Sequence, residues 1–280
     1  MIIALFPNIL KRQTKSIAIG IREFLIKEGV TVVVEDDEAE HLGAEKLSSV
    51  DPSEIDYIIT LGGDGTILRV LHKHPELAAP ILGVNMGSLG FLADIPVPEI
   101  YPSLQDLIKG ECKILERMMI EGETLKGDKF FSVNDMVIHR ARNPSLVDLA
   151  LHVDGYYLNT FSADGIIIAT PCGSTAYSLA AGGPIIEPGI EATCITPISP
   201  HTISNRPIVI RPSENIQIQY LSELDPVEIT NDGMSCHTMK TGEVFTIKLS
   251  EKKFRLVALR RHDYFSTLRT KLGWTGKMRN

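Results

Sequence analysis

Tyr57-Ile58-Ile59-Thr60-Leu61-Gly62-Gly63-Asp64-Gly65-Thr66-Ile67-Leu68-Arg69-Val70-Leu71 passes from an apolar run through glycines into a helix-like segment. A strand that empties in this way into a helix is a phosphate-binding arrangement. Glycine admits positive φ and lets backbone N–H groups approach an anion, while the first turn of the helix adds unpaired donors and the positive end of its dipole. Asp64 is the unexpected member, because like charges a few ångströms apart repel by several kcal/mol at an effective dielectric of about 20. A carboxylate in such a loop reads as a participant in chemistry, a base or a metal partner, rather than as part of a passive anion cradle.

On either side of this stretch, strand and helix alternate. Strands are expected at Ile2–Phe6, Val30–Glu35, Tyr57–Leu61 and Ile81–Asn85, and helices at Thr14–Glu28 and Thr66–His74, with Gly29 stopping the first helix. The alternation implies an α/β domain with a doubly wound parallel sheet, and ligands of such sheets bind beyond the carboxyl ends of the strands, where Gly62–Thr66 lies. After Leu92 the prolines 96, 98 and 102 break the pattern before a short helix-like segment at Pro102–Lys109. From Lys113 the chain reads as strands at Lys113–Glu121, Phe130–His139, Asp148–Val153, Tyr156–Ser162, Gly165–Thr170, Ile208–Arg211, Asn215–Tyr220, Val227–Thr230, Phe245–Leu249 and Phe254–Leu259. Asp154-Gly155, Asp232-Gly233 and Thr241-Gly242 supply turns between them. A mostly β second domain of layered or sandwich kind is expected over 99–259, with 1–98 as the α/β domain and 260–280 returning to it as a helix, Asp263–Lys271, anchored by Leu268, Leu272 and Trp274.

Composition narrows the function classes. The 280 residues are 44% hydrophobic and 22% charged, ordinary for a globular protein, and the net charge of −7 lacks the clustered cations that a nucleic-acid surface needs. The basic stretch Arg260, Arg261, Arg269, Lys271, Lys277 and Arg279 reads as a solvated or interface helix face. No run is apolar enough to span a bilayer, and Met1–Phe6 has the pattern of a buried strand rather than a charged leader, so neither a membrane nor a nucleic-acid partner is expected. Cys112, Cys172, Cys194 and Cys236 stand far apart, suggesting neither a zinc site nor a disulfide framework, and a reducing cytoplasm fits best. His72 and His74 point to different faces of one helix and read as solvated.

Three further segments carry polar groups in suggestive places. Asn85-Met86-Gly87-Ser88-Leu89-Gly90-Phe91-Leu92 repeats the strand-to-glycine grammar, though glycine loops after strands are common. Asn134-Asp135 interrupts an apolar strand with side chains suited to the vicinal hydroxyls of a ribose, or equally to a local Asx turn. Asp164-Gly165 opens a long segment through Thr170-Pro171-Cys172-Gly173-Ser174-Thr175-Ala176-Tyr177-Ser178 to Gly183. Its small residues, Ala176, Ala180, Ala181, Gly182 and Gly183, leave room for a flat ligand that Tyr177 could cover, or form the close-packed face of a capped helix. Ser174 lacks the Gly-x-Ser-x-Gly context of a nucleophile.

Together these motifs, with Ser199-Pro200-His201-Thr202-Ile203-Ser204-Asn205-Arg206-Pro207 and Leu268-Arg269 through Trp274, resemble the NAD kinase family in order and over nearly the whole chain. The Gly-Gly-Asp-Gly loop alone is also similar to that of lipid kinases and phosphofructokinases. The resemblance implies a phosphofructokinase-like α/β domain, transfer of the γ-phosphoryl of ATP, or polyphosphate in some members, to the adenosine-ribose 2′-hydroxyl of NAD, and magnesium or another divalent cation carried by ATP. It implies Asp64 as the catalytic aspartate and Gly62, Gly63, Gly65, Thr66 and Arg69 as the phosphate loop. On the NAD side it implies Asp64, Gly65, Phe91, Leu92, Asn134, Asp135, Asp164, Thr175, Ala176, Tyr177, Ser178 and Ala180. A homodimer or homotetramer is implied as well. The chain departs from the family pattern at Cys172, where threonine is usual, at Ser162-Ala163, where a basic residue is frequent, and at Met234, where glutamine is common. A lipid kinase would need an apolar or amphipathic basic membrane segment that is absent, and a non-catalytic dinucleotide sensor would gain nothing from Asp64.

Overall fold

The apolar run Ile2–Pro7 forms β1, with Ile3, Ala4 and Leu5 fully buried, as a strand covered by helices on both faces must be. A computed structural model describes residues 1–9, 13–87, 89–212, 215–234, 236–261 and 263–274. The chain forms two compact units, Met1–Leu115 with Arg255–Asn280, and Glu116–Phe254.

In the first unit β1 is followed by α1 (Thr14–Lys27), β2 (Thr31–Val34), α2 (Ala39–Leu42), β3 (Glu45–Lys46), β4 (Tyr57–Gly62), α3 (Asp64–Lys73), β5 (Ile81–Asn85), β6 (Ile95–Pro96) and α4 (Ile100–Ile108). The strands lie in the order β3-β2-β1-β4-β5, every pair parallel, so the chain winds outward from β1 in both directions. Such an order leaves the carboxyl ends of β1 and β4 side by side, where the glycine loop emerges. The core joins Ile3, Leu5, Ile59, Leu61, Leu82 and Val84 of the sheet to Ile21 and Leu25 of α1. Gly29, at φ +78°, takes the left-handed position that ends α1, as expected.

The second unit is built from β7 (Cys112–Thr124), β8 (Lys129–Ser132), β9 (Asp135–His139), β10 (Val147–Val153), β11 (Tyr156–Ala163), β12 (Gly165–Ala169), the short α5 (Tyr177–Ala180), β13 (Thr193–Ile198), β14 (Ile208–Ile210), β15 (Ile216–Tyr220), β16 (Val227–Asn231), β17 (Cys236–Met239) and β18 (Val244–Leu259), although residues 112–115 of β7 and 255–259 of β18 count with the first unit. One antiparallel set runs β11-β10-β15-β18, and the other β14-β13-β12-β9-β16-β17. Ile166 and Ile168 of β12 enter the main core with Leu149, Leu151, Ile218 and Phe245, while Ile167 and Ala169 face a second cluster with Val137, Ile186 and Cys194. Burial on both faces explains why β12 is uniformly apolar.

Several expectations are corrected. Phe130–His139, read as one strand, breaks between β8 and β9 because the Asp232 carboxylate draws off the N–H groups of Val133, Asn134 and Asp135. Phe245–Leu249 and Phe254–Leu259 are one strand, whose polar middle is held where Ser250 donates to Glu121 at 2.7 Å. Strand β13 contains Pro197, which lies outside the β13–β14 pairing of residues 193–195 and so owes that neighbour no donor. Strand β17 and the short α2 and β3 are further elements without a sequence counterpart.

Helix α3 begins at Asp64, two residues before the expected Thr66. α4 and residues up to 115 fall in the first unit, beyond the expected boundary at 98, because Leu104 and Leu107 are fully buried in its core. His74 is half-buried, with Nε2 2.9 Å from Glu35 and Nδ1 3.3 Å from Glu76, rather than solvated. The last helix, α6 (Tyr264–Leu272), belongs to the first unit through buried Leu268, with Leu272 half-buried and Trp274 54% exposed. Arg261 pairs with Asp106, while Lys277 and Arg279 lie outside the described residues. Leu104→Ala should lower the stability of the first unit by about 2–5 kcal/mol, read from its denaturant midpoint, whereas Trp274→Ala should shift it little.

Candidate active site

Gly62 ends β4 and Gly63 caps α3 in extended conformation, so the peptide turns from strand to helix across this single residue. A Cβ at Gly62 would stand 2.0 Å from Thr66 Oγ1, which is why only glycine fits. Asp64 is the first residue of α3, where a negative side chain complements the helix dipole. Its carboxylate faces the loop after β5. Phe91 N–H donates to Oδ2 at 2.8 Å, and Leu92 and Ala93 N–H donate to Oδ1 at 3.0 and 2.9 Å. The same loop is tied by Asn85, whose Nδ2 donates to the Ala93 carbonyl at 3.2 Å and whose Oδ1 accepts Gly87 N–H at 2.7 Å. Phe91 is flanked by the Tyr264 ring at 6.3 Å and by Lys271 Nζ at 4.9 Å, so α6 backs this loop. Gly65 is exposed, and exposed Arg69 borders with Thr66 a cavity of about 160 Å³ that runs along α3 to Lys73 and is also lined by Glu35 and Asp37.

The second unit holds a larger cavity, about 590 Å³, within the range of small-molecule sites. Asn134, Asp135, Asp164, Ala176 and Tyr177 line it, five of the residues expected at the dinucleotide. Asp232 fixes the first pair: its Oδ1 accepts N–H of Asn134 at 2.7 Å and of Asp135 at 3.2 Å, and its Oδ2 that of Val133 at 2.9 Å. A Cβ at Gly173 would stand 2.0 Å from the Asn134 carbonyl, so the helical turn at Gly173–Thr175 packs directly on that backbone.

The remaining expected residues divide by exposure. Tyr177 is 48% exposed, Thr175 is half-buried and donates to the Cys172 carbonyl at 3.1 Å, and Ala180 is exposed. Ser178 is fully buried, its hydroxyl 2.8 Å from that of Thr196, and it anchors α5 rather than facing the cavity. Ser174 is likewise structural, donating to the Pro171 carbonyl at 2.7 Å and accepting Ile186 N–H at 3.0 Å.

Two cavity residues were not legible in the sequence. Arg140 places Nε 2.6 Å from Asp164 Oδ1 and also donates to the Asn143 carbonyl, while Asn143 donates back to the Arg140 carbonyl at 2.9 Å. Asp232 appeared only as half of a turn signal; at φ +51° it aims its carboxylate back at the strand break. Its pairing with residues 133–135, far earlier in the chain, has no local signature. Among the described residues no group of three or more His, Cys, Asp or Glu side chains could hold a metal ion, and no helix is long and apolar enough to cross a membrane.

Residues 3–112 match the model of the ATP-NAD kinase N-terminal domain, and residues 133–259 that of the ATP-NAD kinase C-terminal domain. The chain belongs to the NAD kinase family. It is 57% identical over 277 residues to an NAD kinase of Protochlamydia amoebophila, covering 99% of each chain. It is 41% identical to an NAD kinase of Geotalea daltonii, covering 97% of this chain and 98% of the other. Among solved structures it is similar to yeast NADH kinase complexed with NADH, at TM-score 0.87 and 28% identity over 100% of this chain and 89% of that one. It is also similar to an NAD kinase from Archaeoglobus fulgidus in complex with ATP, at TM-score 0.76 and 26% identity over 99% and 100% of the two chains. As an NAD kinase it is a phosphotransferase that converts NAD to NADP with ATP, and its use of ATP entails a divalent cation.

In this NAD kinase Asp135 is only 4% exposed and has no hydrogen bond to its carboxyl from the described protein groups. Burial, and then the charge of Asp232, push its pKa up from the usual 3.8 to about 7. Between those values the folded chain keeps a proton that the unfolded chain has lost, so stability falls as pH rises through that window. Asp135→Asn should flatten this dependence in melting curves recorded from pH 5 to 8, leaving the variant the more stable protein above pH 7.

Proposed function

We propose that the enzyme transfers the γ-phosphoryl of ATP to the 2′-hydroxyl of the adenosine ribose of NAD, with Asp64 as general base. The observation that carries this is the Asp64 carboxylate, held at the start of α3 by three backbone N–H groups beside the glycine loop. In the step, the ribose oxygen forms a bond to the γ-phosphorus as its bond to the ADP oxygen breaks. The hydroxyl proton passes to Asp64 and ADP leaves with the bridging electron pair. Phosphoryl transfer goes through a loose transition state, so alignment of donor and acceptor supplies most of the acceleration. A secondary hydroxyl is a weak nucleophile at neutral pH, and a carboxylate within hydrogen-bond reach orients it and accepts its proton.

The other residues position. Gly62, Gly63 and Gly65 bring the backbone close to phosphate, Thr66 holds the turn and Arg69 adds a cation at its rim. Asn134 and Asp135 take the hydroxyls of a ribose, Asp164 makes a second polar contact, and Ala176 and Tyr177 cover the adenosine side. Thr175, Ser178 and Ala180 shape the turn that presents them, and Phe91 and Leu92 line the dinucleotide site. Magnesium or another divalent cation, carried by ATP, would neutralise charge on the transferring group. ATP is the donor in this reading, with polyphosphate the alternative to be assayed beside it. Cys112, Cys172 and Cys194, none of them in a disulfide, support a cytoplasmic setting, and exposed Ile208 and Val209 on edge strand β14 support a homodimer or homotetramer, measurable by light scattering.

Asp64→Asn should keep the fold and NAD affinity while losing most of the NADP formed from magnesium-ATP and NAD, followed with an NADP-specific dehydrogenase. Near wild-type turnover would remove Asp64 from the base role. Arg140→Ala, which frees Asp164, should raise KM for NAD about tenfold with kcat and KM for ATP little changed, as expected for loss of about 1.4 kcal/mol of ground-state binding.

A further inference from the structure

We propose that Gly90 is a positioning residue for phosphoryl transfer: its lack of a side chain lets the Asp64 carboxylate seat on the amides of Phe91, Leu92 and Ala93, and it influences the reaction only through Asp64. The inference rests on the reading of Asp64 as the base.

A Cβ built on Gly90 would lie 2.0 Å from Asp64 Oδ1, 2.8 Å from its Cγ and 2.9 Å from the Ala93 carbonyl oxygen. Backbone conformation is not the reason for glycine here, because Gly90 is not among the glycines at positive φ. The requirement is space alone. Gly90 N–H donates to the Ala93 carbonyl at 3.0 Å, closing a turn that points the next three N–H groups inward at one carboxylate. Two of those donors occupy Oδ1 and one occupies Oδ2, so Oδ2 keeps the freer lone pair for an incoming hydroxyl.

The nearest group a Cβ would meet is the Asp64 carboxylate, so substitution displaces it first, at the cost of its hydrogen bonds to the amides of residues 91–93, while the Ala93 carbonyl oxygen at 2.9 Å must also give a little. A displacement of that size at a reacting group costs on the order of 10²-fold in rate.

The test compares the wild type with Gly90→Ala, Asp64→Asn and the double variant, measuring kcat, KM for NAD, KM for magnesium-ATP and melting temperature. Gly90→Ala should lose about 10- to 100-fold in kcat with both KM values within about twofold, and should change the residual rate of Asp64→Asn by less than about twofold. An equal fold loss in both backgrounds would mean that Gly90 acts through general structure, and overturns the proposal. So would wild-type turnover in Gly90→Ala while Asp64→Asn is inactive. Wild-type turnover in Asp64→Asn overturns the base assignment itself, and this proposal with it. If Gly90→Ala melts early, kcat is measured below that melting temperature, where a loss in the wild-type background that is absent in the Asp64→Asn background supports the proposal and an equal loss in both overturns it.

Discussion

An aspartate carboxylate gathering three consecutive backbone amides is the interaction on which both halves of this protein depend. In the first unit Asp64 collects the N–H groups of residues 91–93; in the second, Asp232 collects those of residues 133–135. Hydrogen bonds to a charged acceptor are worth about 1.5–3 kcal/mol each, more than ordinary amide pairs, so each carboxylate can hold an irregular segment that no sheet ladder supports. The irregularity is useful. It turns the loop after β5 toward the start of α3, and it interrupts the β8–β9 run so that Asn134 and Asp135 border a cavity.

These clamps work only because glycines remove obstacles. Gly62, Gly90 and Gly173 each leave a neighbour where a Cβ would stand 2.0 Å away: the Thr66 hydroxyl, the Asp64 carboxylate and the Asn134 carbonyl. All three positions lie outside the set at positive φ, so their role is close approach rather than turn geometry. The apparent conflict between a phosphate loop and an acidic residue also finds its physical answer here. Three amide dipoles converge on Asp64, and an anion surrounded by donors repels a second anion less than a bare carboxylate would.

The cavity of the second unit sets a charged pair against a lone carboxyl. Asp164 shares Arg140, which is itself tied to Asn143, and this arrangement fixes orientation more than it adds stability, since both partners remain partly solvated. Asp135 has only the nearby charge of Asp232 and its own burial to respond to, and both favour its neutral form. An acid buried without a hydrogen-bond partner among the described residues is a site of unspent hydrogen-bonding capacity, which the hydroxyls of a sugar can take up.

Alternating apolar runs and glycine stops were enough to read the parallel sheet, the turn into α3 and the β-rich second half, because period and turn chemistry are local. Asp64, Asn134-Asp135 and Asp164 stand out in the sequence as polar residues at strand ends, and they lie, respectively, beside the glycine loop and on the cavity of the second unit. What local pattern could not carry was pairing across the chain. The break between β8 and β9 depends on Asp232, a residue whose own neighbourhood reads only as a turn, and the Arg140–Asp164 pair has no spacing rule. Burial decided the remainder: Ser178, polar and expected at the ligand, spends its hydroxyl on Thr196 inside the sheet. Most of the strands and the parallel order of the first unit follow from local patterning in the sequence; which amides each carboxylate captures was settled by folding, because it depends on distances between segments far apart in the chain.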